Sequence, residues 1–217
     1  MKRIVFLAVL ILSSISLFSQ NAKFGVYIDP QIVWLSPDSK DIIGDGAKAG
    51  FSGGLIINKY FQKNYAIQTG IALGTQGGKL RFGTESYFTS YEETDTLPVG
   101  TTVDYTLNYI IIPLGLRLKT NQIGYFSYYA RIGLTNQFKI KAKATSSEGT
   151  LADSNIGEEI FFYNLAYHFG IGIEYSISED TALDFGITYH NGFIDVMNDK
   201  NVIANSRNLA LTIGIIF

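Results

Sequence analysis

Cysteine is absent from this 217-residue chain, so no disulfide can staple it and no cysteine can carry a lipid anchor. Stability must come from burial and hydrogen bonding alone. Basic charge is not in surplus either, with 17 Lys and Arg against 19 Asp and Glu. Nucleic-acid binding needs clustered cations, so nucleic acid is excluded as an expected partner. Beyond about residue 17 no apolar run approaches the roughly 20 residues of a membrane-spanning helix. Helical periodicity is not evident anywhere, so any bilayer insertion must use strands. Catalytic motifs are missing as well: there is no nucleophile elbow, phosphate loop or paired-carboxylate arrangement. The acidic stretch 38–46 lacks the D-x-D-x-D-G order of a calcium loop. Catalytic residues, cofactors and bound metals are therefore all expected to be none.

What is present begins with a short basic head, Lys2 and Arg3, an apolar run from Ile4 to Leu17, and a small polar patch at 18–22. That is the order of a secretory signal peptide. It predicts a signal over 1–20, cleaved within 18–22, and a single domain over 21–217. Removing two of the 17 basic residues leaves 15 against 19, a net charge of −4.

Period-2 alternation then recurs to the last residue, bounded by turn residues. It predicts strands at 23–35, 49–61, 65–80, 103–119, 125–142, 161–176, 181–195 and 205–217. Short connectors (62–64, 120–124, 178–180) alternate strictly with long ones (36–48, 81–102, 143–160, 196–204). Outer-membrane barrels are built this way, with short periplasmic turns and longer outer loops. The expected fold is all-β: an eight-stranded antiparallel up-and-down transmembrane β-barrel preceded by a cleaved signal peptide. The final strand, Leu209 to Phe217, puts Leu209, Leu211, Ile213, Ile215 and Phe217 on one face and small residues on the other. Phe217 is expected to close the barrel. The hairpins 54–71 and 170–187 align without a gap, and 114–133 follows the same plan.

Sterics orient the faces. Leu183, Phe185, Ile187 and Tyr189, or Ile110, Ile112, Leu114, Leu116 and Leu118, are too bulky to fill eight such strands inward, because an eight-stranded interior is just wide enough for side chains. Gly170, Gly172, Gly186, Gln68, Arg117, Arg131 and Gly214 fit inside. The bulky face therefore points to lipid, and aromatic girdles are expected at Tyr60, Phe61, Tyr65, Tyr125, Phe126 and Tyr175 and at Trp34, Phe138, Phe161, Tyr163 and Tyr189.

The stretch Tyr109-Ile-Ile-Ile-Pro113-Leu-Gly-Leu-Arg117-Leu-Lys119 resembles a strand of the PorT-like (porin-like) outer-membrane β-barrel proteins of Bacteroidota. Asn64-Tyr65-Ala66-Ile67-Gln68-Thr69-Gly70, Gly77-Gly78-Lys79 and the terminal aromatic are similar to that family too. The resemblance implies a fold over nearly all of the mature chain and no specific activity. It also implies that Phe217 is read by the barrel-insertion machinery.

Three groups of residues are candidate sites. Equivalent inward positions of the hairpins, Asn58/Gln68, Arg117/Arg131 and Glu174/Asp184, share one level near the short turns. Arg117, Arg131, Glu174 and Asp184 are expected to form a lumen charge cluster, with Arg131 and Glu174 on neighbouring strands, since buried charges persist only when paired. His168 and His190 are expected as an inward polar pair, too sparse with Asn164 or Glu174 for a metal site. The acidic outer loop 81–102, with Tyr87, Phe88 and Tyr91, is a candidate recognition surface. Lys139, Lys141 and Lys143 suggest a basic stripe facing headgroup phosphates. Together these predict a monomeric barrel of structural or binding role, not an enzyme. Its partners would be the outer-membrane bilayer, the insertion machinery and an extracellular or secretion-system protein. An outer-membrane lipid-modifying enzyme and a secreted soluble barrel binding a hydrophobic ligand are the alternatives.

Overall fold

The computed structural model describes residues 21–84, 94–148, 151–198 and 202–217 and the strand 86–89, with only the backbone described for 86–89 and 94–97. The predicted signal at 1–20 lies outside the described residues. Eight long strands form the frame: β1 (Ala22–Pro37), β2 (Lys48–Gln62), β3 (Tyr65–Phe82), β4 (Thr102–Lys119), β5 (Phe126–Ser146), β6 (Tyr163–Ser176), β7 (Ala182–Gly192) and β8 (Ala204–Ile216). Each pairs antiparallel with the next. β8 pairs with β1 from Ile216↔Gly25 to Ala204↔Pro37, which closes the sheet. Phe217 and Phe24 extend that seam by exchanging backbone hydrogen bonds of 2.8 and 2.9 Å. Closure leaves no unpaired edge.

The long connectors carry short pieces of structure of their own. Ile42–Gly44 pairs with the outer end of β3, Ser154–Asn155 with that of β5, and Ser86–Thr89 with Thr94–Leu97 as a separate ribbon. A 3-10 turn spans Gly157–Glu159.

The outward face is apolar. Val26, Ile28, Leu55, Ile71, Leu114, Ile132, Ile171, Ile187 and Leu211 are all exposed. At the short-turn end rings meet in the pairs Phe61–Tyr65, Tyr125–Tyr175 and Phe126–Tyr175. At the long-loop end they meet in Trp34–Tyr189, Phe138–Tyr163 and Tyr167–Phe193.

The lumen departs from the expectation of a uniformly small or polar interior. At the long-loop end it holds an apolar core of Leu35, Leu80, Phe82, Val103, Tyr105, Leu107, Tyr109 and Ile111. The connectors add Leu151, Ile156, Ile160, Val196, Met197 and Val202. The reason lies in β4. Val103, Tyr105, Leu107, Tyr109 and Ile111 share its inward face, and Ile110 and Ile112 make the outward face apolar as well. Alternation over 109–112 therefore does not reveal which face fills a lumen. β3 narrows the same end. Gly77 has φ +141°, and a Cβ on Gly78 would collide with the Trp34–Leu35 peptide of β1. Only glycine permits that approach of two non-adjacent strands.

Candidate functional site

The three inward pairs lie directly opposite one another across their hairpins: Asn58↔Gln68, Arg117↔Arg131 and Glu174↔Asp184. Asn58 Nδ2 has no partner among the described residues, but Gln68 donates to Asn58 Oδ1 at 2.8 Å, so this buried pair bonds within itself. The other two pairs cannot, because each is like-charged, and like charges directly opposite on a sheet repel. Their partners must come from elsewhere.

Arg117 finds them. It is fully buried, and its Nη2 donates to Glu174 Oε1 and to Asp184 Oδ1, both at 2.8 Å. Lys119 donates to the other Glu174 oxygen at 2.7 Å. The guanidinium lies 3.5 Å from the Tyr129 ring centroid, a cation–π contact in a dry setting. Tyr129 in turn occupies the space that glycine leaves, since a Cβ on Gly172 or Gly186 would strike its ring. Two cations, Arg117 and Lys119, face two carboxylates, so this cluster is neutral within itself. Lys119 and Tyr129 were not singled out from the sequence. Alternation puts Tyr129 inward, and the β4–β5 register, with Arg117 opposite Arg131 and Lys119 opposite Tyr129, makes it the diagonal neighbour of Arg117.

Arg131 behaves differently from the expectation that it would join Glu174. It bonds instead to the hydroxyls of Thr188 and Thr212. Repulsion from Arg117 directly opposite, and the occupation of both carboxylates by Arg117 and Lys119, explain the change. Gly170, between β5 and β7, clears its route, since a Cβ there would sit 3.1 Å from Arg131 Nε.

Above Arg131 the two histidines are cross-strand partners, with ring centroids 5.5 Å apart. Thr135 Oγ1 lies 2.8 Å from His168 Nδ1 and 3.4 Å from His190 Nδ1. The structure does not bring Asn164 or Glu174 to them. Asn164 donates to Gln137 and Ser206, and Glu174 is held below by Arg117 and Lys119. Among the described residues no group of three or more His, Cys, Asp or Glu could hold a metal ion. The histidines line a cavity of about 40 Å³ together with Asp29, Gln31, Gln76, Arg131 and Asn208. Asp29, a buried carboxylate in that wall, also escaped sequence reading.

The lumen is thus plugged by charge at one end and by apolar side chains at the other, inside a closed sheet whose outer surface is apolar. A family model described as outer membrane protein beta-barrel domain matches residues 18–198. The chain belongs to this family. As an outer-membrane barrel it meets lipid with its exposed apolar band, which sets aside the secreted soluble barrel. Among solved structures it is similar to Neisserial surface protein A, at 16% identity over 89% of this chain and 95% of that one, with a TM-score of 0.48. It is also similar to Ail of Yersinia pestis in complex with the heparin analogue sucrose octasulfate, at 16% identity over 91% and 100%, TM-score 0.44. OprG from Pseudomonas aeruginosa matches at 13% identity over 88% and 94%, TM-score 0.41. These likenesses concern fold only. No curated protein matches the chain.

The outer-membrane barrel's rim differs from the expected basic stripe. A bulge opposite Asn108–Tyr109 shifts the register of β5, so Lys139 and Lys141 are not in simple alternation. Lys139 donates to the carbonyls of Gly157 and Ile160, and Lys143 pairs with Asp153. Two of the three lysines therefore tie the 143–160 connector to the wall. At the neighbouring strand of the rim, Asp45 accepts from Thr102 Oγ1 at 2.6 Å and from Arg81 at 2.7 Å, and these contacts hold its carboxyl below the ordinary value. Tyr87 and Phe88 lie on the Ser86–Thr89 strand, of which only the backbone is described, and Tyr91 lies outside the described residues.

Proposed function

We propose that this barrel is a closed outer-membrane protein of structural or binding role, with its short turns in the periplasm and its long connectors outside. The filled lumen carries the reading. Arg117, Glu174, Asp184 and Lys119 plug the short-turn end, and the apolar core beneath the Gly77–Gly78 approach fills the other. Between them lies room for only a few water molecules. Such a molecule contacts its surroundings through its walls and its loops. The loop 81–102, with Tyr87, Phe88 and Tyr91, is the surface offered to an extracellular or secretion-system protein. The resemblance of residues 109–119 and 64–70 to PorT-like barrels supports placing the chain among those of Bacteroidota, working as a monomer, with Phe217 engaged by the insertion machinery. A rim enzyme would need a histidine beside Ser and carboxylate groups. His190 instead faces the inner cavity, beside Thr135, which favours a non-catalytic role.

Two measurements test this. Purified barrel in planar bilayers is expected to give no discrete conductance steps; channel events would overturn the closed reading. Photo-crosslinking groups at positions 87, 88 and 91 on intact cells are expected to capture one recurrent partner. Labelling indistinguishable from a control position in the 143–160 connector would overturn the loop reading.

A further inference from the structure

Among the described residues no carboxylate contacts Arg131, although a buried guanidinium without a counter-charge is strongly unfavourable. The carboxylate that lines the same cavity as Arg131 belongs to Asp29. It faces inward from β1, next to Pro30, whose missing N–H leaves the β1–β8 ladder without pairs at these two residues. Thr212 stands between the two charges. Its hydroxyl accepts from Arg131, and it lies across from Asp29 in the gap between the Ile28↔Ile213 and Gln31↔Ala210 pairs of β1 and β8. One Asp29 oxygen, Oδ1, is buried with no partner, and it lines the same cavity as Arg131.

Two further orphans share that cavity: Gln76 Oε1 and Asn208 Oδ1, on residues 3% and 2% exposed. All three are acceptors, so the cavity calls for a donor. Charge decides which. A metal or ammonium ion would add a second cation to a chamber where Arg131 already balances Asp29. An anion would meet three oxygen acceptors. Water is neutral, donates two hydrogen bonds and suits the size, since about 40 Å³ holds roughly three molecules at 10–15 Å³ each. The other titratable groups on the walls are Tyr27, His168 and His190, which add no carboxylate.

We propose that the lumen contains a second ionic centre, separate from the Arg117 plug, in which Asp29 is the counter-ion of Arg131 through Thr212 and through a small cluster of water bound in this chamber. The water completes the contacts of Asp29 Oδ1, Gln76 Oε1 and Asn208 Oδ1. Asp29 is a positioning residue here: it fixes Arg131 and orders the cluster.

The test is a double-mutant cycle on the full barrel in micelles, read as the shift in urea unfolding midpoint. Asp29→Asn and Arg131→Met are each expected to lower the midpoint, and the double variant is expected to lose clearly less than their sum. The control cycle, Glu174→Gln with Arg131→Met, is expected to be additive. Additivity of the first cycle, or coupling in the second alone, would overturn the pairing. A second readout needs no variant. Water cross-peaks to the Arg131 Nε–H and the Thr188 and Thr212 hydroxyls are expected in NMR spectra of the unmodified barrel. Their absence would overturn the bound water. A midpoint that changes between sodium, potassium and N-methylglucamine salts at equal ionic strength would mean a bound cation and would also overturn it.

Discussion

A guanidinium has five donors and no acceptor, and Arg117 places its plane on Tyr129 while one nitrogen serves both Glu174 and Asp184. Replacing it with Met would leave two carboxylates buried with a single lysine between them. Breaking a buried pair from one side costs about 3–5 kcal/mol. Arg117→Met is therefore expected to lower the urea midpoint and to reduce the fraction of barrel that migrates as the compact form on an unheated gel. A midpoint within error of the parent would refute the plug. This side chain also shows where sequence reading stops. That Arg117 faces inward follows from alternation, because period 2 is a local property. That it meets residues 57 and 67 positions away follows from the stagger of the strands, which no local pattern encodes. Of the expected four-residue cluster only Arg131 stands apart, because the β5–β6 register sets it opposite Gly170 and sets Glu174 opposite Ser127. Asp29 escaped because it sits beside a proline in the first strand, outside the hairpin repeats that drew attention to the others.

At the scale of elements, two devices set the long-loop end. The first is the bend of β3 at Gly77–Gly78. Gly78→Val would drive β3 away from β1, because its Cβ would meet the Trp34–Leu35 backbone. The expected result is faster proteolysis of the connectors around the apolar core while the short-turn half stays protected. Unchanged cleavage would show that β1 and β3 need not touch. The second device is the tie from Asp45 to Thr102 and Arg81. Its carboxyl is held low chiefly by the Thr102 hydroxyl and then by Arg81. The tie is therefore fully formed above the ordinary carboxylate range and is lost as pH falls through the lowered value. A carboxyl titration by NMR is expected to show an Asp45 midpoint below that of a free aspartate, and Thr102→Val should raise it. A midpoint unmoved by that change would count against the contact. Strand ends are readable to within four residues from turn residues and alternation, the largest gap being the fifth strand, expected to end at 142 and ending at Ser146. The inner core is not readable in this way. Residues 109–112 are apolar on both faces, so the pattern there cannot say which face fills a lumen.

For the molecule as a whole, the apolar exterior is the decisive quantity. Ile132 and Leu116 are cross-strand neighbours in the outward band, and both are exposed. An arginine near the middle of that band costs roughly 2–4 kcal/mol in a bilayer and little in water. Ile132→Arg is expected to lower stability in lipid vesicles strongly, while the same change at the rim residue Thr145 leaves it nearly unchanged. Equal effects at both sites would contradict the placement of the membrane around the barrel.

The like-charged pairs opposite one another have a consequence for assembly. Arg117↔Arg131 places two positive charges in one hairpin, and Glu174↔Asp184 two negative charges in the next. Each hairpin formed alone is electrostatically frustrated, and relief comes only when the two dock along β5 and β6. A chain that paired its hairpins in the wrong order would keep its charges opposed. The lumen thus rewards completion and withholds stability from intermediates, so folding is expected to proceed as one cooperative event in which the hairpins commit together.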